Sequence, residues 1–585
     1  MIRTLLRPGA LALTLLLVAC RAGDVQPVAI DTRVPEAWPY DLSAPVASGL
    51  NGAVASDDSI ASAVGISILR AGGNAVDAAV ATAFALAVTY PEAGNLGGGG
   101  FIVLRMADGT TAALDFREKA PAGATRDMFI GADGEVDENL SLWSHRASGV
   151  PGSVQGLWSV HQRFGELPWR DVVAPAIRLA REGFVVNERF SAIAEGHRNR
   201  FEPHAASMAY MLPDGAAPAA GAHWSIPDLA ETLERIAEDG ADGFYRGRTA
   251  DLIVAEMQRG GGLITHEDLQ AYTAEWREPV RFEYRGHTVL SMPPASSGGI
   301  TLGIIGNILS GYDLGAMGWR SPDAIHVTGE AMRRAFADRN HYLGDPAFVD
   351  VPREMLLSDA HARELRASID LQRATPSMRV TPTRTVGMSN EGRETTHLSV
   401  ADTDGNAVAL TTTVNFLYGS GIAIPGAGFF MNNEMDDFAS KPGSPNAFGL
   451  VQGEANAIEP GKRMLSAMSP TIVLAASGTP LLITGGRGGP LIISETWQVI
   501  SNVLDFGLQL PAAVSAPRIH HQHLPDELMM EANGFSESLV AALEARGHTV
   551  DRGGSGMSPS ILRAGDTWTA TGDPRGRTTG VAAAY

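Results

Sequence analysis

The sequence predicts an α+β fold in which antiparallel sheets are covered by helices. Three observations carry that reading: residues 395 to 415 form one hairpin pattern, residues 471 to 484 form another, and helical periodicity lies before and after them. Strands in hairpins flanked by helices are the pattern of packed sheets with helical layers. Composition permits such a core, with 44% hydrophobic and 19% charged residues across 585 positions. The net charge of -20 and the lack of a dense basic block argue against nucleic acid as a partner.

The elements follow in order. Arg3 and Arg7 precede an apolar run from Ala10 to Ala19, the charge order of an export signal and too short to span a bilayer comfortably. The run ends in Leu17-Val18-Ala19-Cys20, which resembles the lipobox of bacterial lipoproteins, so Cys20 is expected to be lipidated and the protein exported. An ordinary cleaved signal with an incidental Cys20 is the alternative. Cys20 is the only cysteine in the sequence, which removes a Cys nucleophile, a CxxC metal site and any intrachain disulfide. Residues 21 to 46 are polar and carry Pro27, Pro35, Pro39 and Pro45, as a surface tether would.

From Asp57 to Arg70 the spacing is helical, with acidic residues in the first turn and Gly72-Gly73 as a stop. Residues 76 to 88 read as a helix apolar nearly all round, hence a core helix. The run Gly94-Asn95-Leu96-Gly97-Gly98-Gly99-Gly100 precedes a strand from Phe101 to Arg105. It lacks the GK[ST] ending of a phosphate loop and does not join a strand to a helix, so close backbone packing is the better reading. Residues 150 to 370 alternate amphipathic helices with loops, and residues 370 to 394 turn polar and proline-containing, as a flexible or processed segment would.

Thr395 to Ala401 then alternates as a strand, Asp402 to Asn406 is turn chemistry, and Ala407 to Asn415 is the return strand. A hairpin symmetric about Asp404 sets Thr395 opposite Thr413, with the two hydroxyls on one face about 5 Å apart. Thr471 to Leu474 and Leu481 to Thr484 form the second hairpin, and residues 490 to 505 read as a helix.

Several chemistries are absent from the sequence. No GxSxG nucleophile elbow and no HExxH zinc motif occurs. His520-His521-Gln522-His523 with Asp526 and Glu527 is the nearest approach to a metal cluster, but adjacent histidines on an extended segment point to opposite sides. Hydrogen-bonded structural histidines are expected there, and no metal.

What remains is Glu394-Thr395-Thr396-His397, a hydroxyl at the junction of a loose segment and a core strand. The block from Thr395 through Asn415 to Met435-Asp436-Asp437-Phe438, with Leu465 to Thr471, resembles the small subunit of the γ-glutamyltranspeptidases. Residues 54 to 105, Asp115-Phe116-Arg117-Glu118, Ser291 to Gly299, and Ala337-Asp338-Arg339 through Gly344-Asp345-Pro346 resemble the large subunit. The likeness covers nearly all of the chain after residue 50, in the family's order.

The resemblance implies an N-terminal-nucleophile hydrolase fold, an αββα sandwich built jointly by two autoproteolytic fragments that associate as a heterodimer. It implies a cut between Glu394 and Thr395, with residues 47 to 394 as the large and 395 to 585 as the small subunit. It implies no cofactor, a γ-glutamyl donor such as glutathione, and water or an amino acid as acceptor. Thr395 is the implied nucleophile and Thr413 its hydrogen-bonding partner, while Gly488 and Gly489 supply the oxyanion hole. Arg117 and Ser466 would hold the substrate α-carboxylate, and Asn415, Glu434 and Asp437 would surround its α-ammonium. The sequence departs from the family at Ala467, where Ser is usual, and at Phe448 in the lid-like loop Pro442 to Gly453, where bacterial members often have Tyr. These departures keep open an acylase of the same fold acting on another acyl group, of cephalosporin or glutaryl type. A non-catalytic envelope binding protein is a third reading, and the retained Thr395, Thr413 and glycine pair speak against it. A periplasmic, lipid-anchored location completes the expectation.

Overall fold

The computed structural model describes residues 30–43, 46–382, 395–444, 453–576 and 582–585. Cys20, Glu394 and Phe448 lie outside the described residues. Four layers are stacked, with two seven-stranded antiparallel sheets in the middle and helices outside each. The first sheet runs, edge to edge, Ala582–Ala584, Gly52–Ala55, Thr395–Asp402, Ala407–Thr413, Gly99–Arg105, Thr111–Phe116 and Glu275–Arg277. The second runs Ala47–Gly49, Thr567–Thr571, Ser560–Ala564, Pro480–Thr484, Thr471–Leu474, His287–Ser291 and Val280–Tyr284.

Period-two alternation separates the cores on either side of each sheet. Along Thr395–Asp402, Leu398 and Val400 face the helices and join the large core built on Ala75–Thr89. Ala401 points the other way, into a thinner core between the sheets that also holds Ala53, Ala409, Phe101, Ile483 and Trp568. Alanines dominate that inner layer on the first sheet, so the second sheet's larger side chains fill the gap. A third core, including Val473, Leu482, Phe336 and Trp497, lies between the second sheet and its helices.

The local expectations are met closely. Ala75–Thr89 is buried at all 15 positions, and Asn74 caps it through a reciprocal box with Asp77. Gly72-Gly73 follow the end of Ser59–Arg70 as a stop. That helix starts two residues later than the sequence suggests, because Asp58 is its N-cap, accepting from the Ile60 and Ala61 amides. Asp57 is therefore outside the helix and turns elsewhere. Both expected hairpins form: Thr395 pairs with Thr413 in the expected register, and the second pairs Thr471 with Thr484 but shifts at Leu474, which faces Pro480. In the stretch expected to tether the body, Trp38 is buried and its indole N–H donates to the Ser515 carbonyl at 3.2 Å. Among the described residues no helix is long and apolar enough to cross a membrane.

The thin layer between the sheets leaves no room for added volume. Ala409→Leu should lower unfolding free energy by about 1 to 3 kcal/mol, since overpacking forces side chains off their rotamers. Urea melts at constant m-value would measure it.

Candidate active site

The site is assembled where three strands of the first sheet end together. Thr395, Thr413 and Gly99 are successive cross-strand partners, and Gly100 pairs with Phe116 on the next strand, one residue before Arg117. At about 4.8 Å per strand, three spacings set Thr395 and the Arg117 strand about 14 Å apart. Thr395 is 5% exposed, so its hydroxyl meets only what enters from this end.

The glycine run makes that convergence possible. A Cβ at Gly98 would overlap the Thr413 carbonyl oxygen, and one at Gly100 would overlap that of Thr411. One at Gly99 would press on Glu118. Close backbone packing is thus the reason for the glycines, and Gly99, paired with Thr413, adds no side chain of its own between that residue and the Arg117 strand.

Thr413 is held by its neighbour, since its Oγ1 accepts the Asn415 amide N–H at 2.8 Å. Asn415 adopts φ 78°, a left-handed conformation that turns the chain sharply after the strand. Its side-chain amide donates to the Asn433 carbonyl at 3.0 Å, which links the strand Ala407–Thr413 to the turn of Glu434–Asp437.

Around Arg117 the structure brings together residues more than 300 positions apart. The guanidinium donates to Glu434 through Nη1 and to Asp437 through Nη2, and Nε donates to the Met464 carbonyl at 3.3 Å. Glu118 stands 3.5 Å from Nη1. One buried cation thus faces three carboxyl groups. Burial pushes Glu434 and Asp437 upward and Glu118 up to about 7, each opposed by the Arg117 charge. Neither Glu118 oxygen has a hydrogen-bond partner among the described residues. Sequence reasoning did not assign Glu118 a role; its position beside Arg117 and its full burial are the signals that only the fold supplies.

Ser466 sits on the other wall. Its backbone N–H donates to the Ala295 carbonyl, its carbonyl accepts from Ser297 N and Oγ, and its own Oγ accepts the Met468 amide at 3.1 Å. Arg339 donates to Ser297 Oγ at 3.1 Å, fixing that support. Ala467 is packed against the apolar core at this point.

Gly488 and Gly489 lie in the turn between the strand Pro480–Thr484 and the helix Leu491–Leu504, with φ of 136° and 59°. Both values suit glycine. Their carbonyls accept the amides of Leu491 and Ile492, so the turn is braced by the helix that follows. Just before the turn, Gly485 packs against the ring of His397 on the strand Thr395–Asp402, and a Cβ there would overlap that ring. His397 is bonded to Thr411 at 2.8 Å and Ser399 at 3.1 Å, and burial pulls its pKa down to about 3, so the ring is neutral.

Behind the strand, Thr396 Oγ1 donates to Asp57 Oδ2 at 3.0 Å. Asp57 is buried, and desolvation pushes it up to about 6 against the pull of Arg487. The histidine run makes ordinary hydrogen bonds: His520 pairs with Ser494 at 2.6 Å and His523 with the Ser377 carbonyl at 3.0 Å. Among the described residues no group of three or more His, Cys, Asp or Glu is placed to hold a metal ion.

Two stacked antiparallel sheets between helical layers, with a threonine opening a central strand, define an N-terminal-nucleophile hydrolase. A model of the γ-glutamyltranspeptidase family matches residues 61–584, and the chain belongs to that family. A glutathione hydrolase proenzyme of Escherichia coli (strain K12) is 47% identical over 528 residues, covering 90% of this chain and 90% of its own. An acylase ACY 1 proenzyme of Pseudomonas sp. (strain SE83) is 36% identical over 556 residues, covering 94% of this chain and 95% of its own. The crystal structure of a cephalosporin acylase from Bacillus halodurans matches with a TM-score of 0.81 at 30% identity, over 94% of this chain and 99% of that one.

The Asp57 carboxyl generates a prediction with a definite sign. Its folded pKa of about 6 lies above the ordinary 3.8, so the folded state holds a proton that the unfolded state has lost between those values. Stability from this group is present below about pH 4 and disappears as pH rises through about 6. Asp57→Asn, which keeps an acceptor for Thr396, should flatten that decline by roughly 2 to 3 kcal/mol. Denaturant melts of both proteins from pH 4 to 7 would read it.

Proposed function

We propose that the chain is an autoprocessed γ-glutamyltransferase and glutathione hydrolase whose nucleophile is Thr395. The observation that carries this reading is the row Thr395, Thr413, Gly99, which leads from a strand-opening hydroxyl to the Arg117, Glu434 and Asp437 cluster. In maturation, Thr395 Oγ attacks the Glu394 carbonyl, and water hydrolyses the resulting ester to leave Thr395 with an α-amine. That amine, with an ordinary pKa of about 7.7 to 8.0, then takes the hydroxyl proton when Oγ attacks a γ-glutamyl amide.

The amides at Gly488 and Gly489 receive the oxyanion, and the helix that follows them adds a favourable dipole. Thr413 Oγ1, already accepting from Asn415 N–H, donates toward the nucleophile oxygen. The substrate's α-carboxylate enters between Arg117 and Ser466, while Asn415, Glu434 and Asp437 take its α-ammonium. A zwitterion suits a pocket with one buried cation and several carboxyl groups, because each pole meets an opposite partner. The γ-glutamyl ester on Thr395 is finally passed to water or to an amino acid or peptide amine. The cut chain remains a heterodimer, exported and anchored through Cys20 to the cell envelope.

The acylase reading has its own support in the acylase relatives and in Ala467, which supplies no hydroxyl to a substrate carboxylate. The two readings share every step except recognition of the α-amine.

Denaturing electrophoresis of the purified protein, 61.6 kDa as a whole chain, should show fragments of roughly 40 and 20 kDa, and Thr395→Ala should show a single band. A single wild-type band with full activity would sink the mechanism. γ-Glutamyl-p-nitroanilide should be turned over at least tenfold faster than glutaryl-p-nitroanilide, a difference of about 1.4 kcal/mol. The reverse order would assign the site to an acylase.

A further inference from the structure

Gly52–Ala55 accompanies the strand Thr395–Asp402 only from Asp402 back to Ser399, where Ala55 is its last paired residue. Among the described residues no strand pairs with Thr395 to Leu398 on that side. The backbone is therefore gripped from one side alone at the end where Thr395 stands. Two residues past Ala55, Asp57 reaches into this gap. Its Oδ2 accepts the Thr396 hydroxyl at 3.0 Å, and both residues are buried.

Asp57 is itself held on both sides. Ser56 Oγ bonds to Ser62 Oγ at 2.8 Å, and Asp58 Oδ1 takes the amides of Ile60 and Ala61 and the Thr89 hydroxyl. The carboxyl thus projects from a fixed junction between a core strand and a helix cap. The charges of Arg487, one residue before Gly488, and of Arg189 both act on it. Arg487 Nη1 donates to Tyr90 Oη at 2.6 Å, and the Arg189 guanidinium lies over the Tyr90 ring at 4.5 Å. The turn bearing Gly488 and the end of the helix Ala75–Thr89 meet around the same carboxyl. Such a group is a poor device for stability, since burial favours its protonated form and its stabilising contribution is lost as pH rises through about 6. A buried acid that adds little stability at neutral pH, one residue from the proposed nucleophile's neighbour, fits a functional role.

We propose that Asp57 is a positioning residue for Thr395, standing in for the neighbour strand that ends at Ala55 and fixing Thr396 through one hydrogen bond. It touches no reacting atom, because Thr396 shares the helical face with Leu398 and Val400 while Thr395 shares the inner face with Ala401. With the bond made, Thr395 Oγ keeps its place relative to the amides of Gly488 and Gly489. Without it, the strand end is free to shift by the ångström or so that reaction rates register. The inference rests on the nucleophile role given to Thr395 above.

The test measures kcat and KM per cleaved molecule, with the cleaved fraction counted from the two fragments on a denaturing gel, on whichever anilide the wild-type protein turns over faster. Asp57→Ala should lower kcat at least fivefold with KM within twofold of wild type. Asp57→Asn, which keeps the acceptor, should restore kcat to within twofold. Thr396→Val, isosteric but without the hydroxyl, should match Asp57→Ala, and Thr396→Ser should recover the loss. The double variant Asp57→Ala/Thr396→Val should lose no more than either single change, as two ends of one bond must. Should Asp57→Ala not fold, Thr396→Val against Thr396→Ser makes the same comparison. A purely structural acid would lower cleaved yield and melting temperature and leave kcat per cleaved molecule unchanged. That result, additive losses in the double variant, or failure of Asp57→Asn to restore kcat overturns the proposal. Activity retained by Thr395→Ala overturns the nucleophile reading instead, and this inference with it.

Discussion

The pairing of Thr395 with Thr413 in the middle of a sheet is the constraint on which the rest depends. The strand is buried along its whole length, and Ala407–Thr413 pairs with it from Ala401 back to Thr395. Gly52–Ala55 pairs on the other side only from Ser399 to Asp402, so the first residue is paired through Thr413 alone. The hydroxyl is thus placed by one hydrogen-bonded strand pair at the end of a buried strand. Reaction geometry is sensitive to displacements of an ångström or less, which makes this a suitable mount for a nucleophile.

Much of the fold was legible because it is written in local terms. Turn residues at Asp402 to Asn406 set the hairpin register, and the all-apolar Ala75–Thr89 announced a core helix. The candidate site was legible in two different ways. Thr395 opposite Thr413 follows from counting residues in a hairpin, whereas Arg117, Ser466, Glu434 and Asp437 came only from family resemblance. No periodicity links Arg117 to Asp437 across 320 positions. Asp57 shows the limit well: it reads as a helix-start charge, yet Asp58 takes the capping position and Asp57 turns to Thr396, 339 residues away. Which of two adjacent acids caps a helix depends on the strand beside it, and that strand is distant in sequence.

The charge arrangement around Arg117 has a clear energetic meaning. A guanidinium sealed from water is costly alone, and three carboxyl groups close to it offset that cost while raising one another's pKa. Such a cluster holds more carboxyl groups than its single cation can pair, and their raised pKa values mean that protons meet part of the excess. The glycine run contributes by absence of side chains, letting Glu118 and Thr413 approach the same stretch of backbone.

Interleaving of strands from before and after residue 395 has a consequence for the lifetime of the protein. In the first sheet, Thr395–Asp402 and Ala407–Thr413 sit between Gly52–Ala55 and Gly99–Arg105, while in the second, Thr471–Leu474 pairs with His287–Ser291. A precursor folds as one polymer, with loop closure its entropic cost. With the proposed cut before Thr395, the same assembly rebuilt from separated pieces would become a second-order reaction, slower with every dilution. The mature molecule would then endure by the height of its unfolding barrier, as a kinetically trapped nicked protein, and heat that merely melts the precursor would destroy it for good.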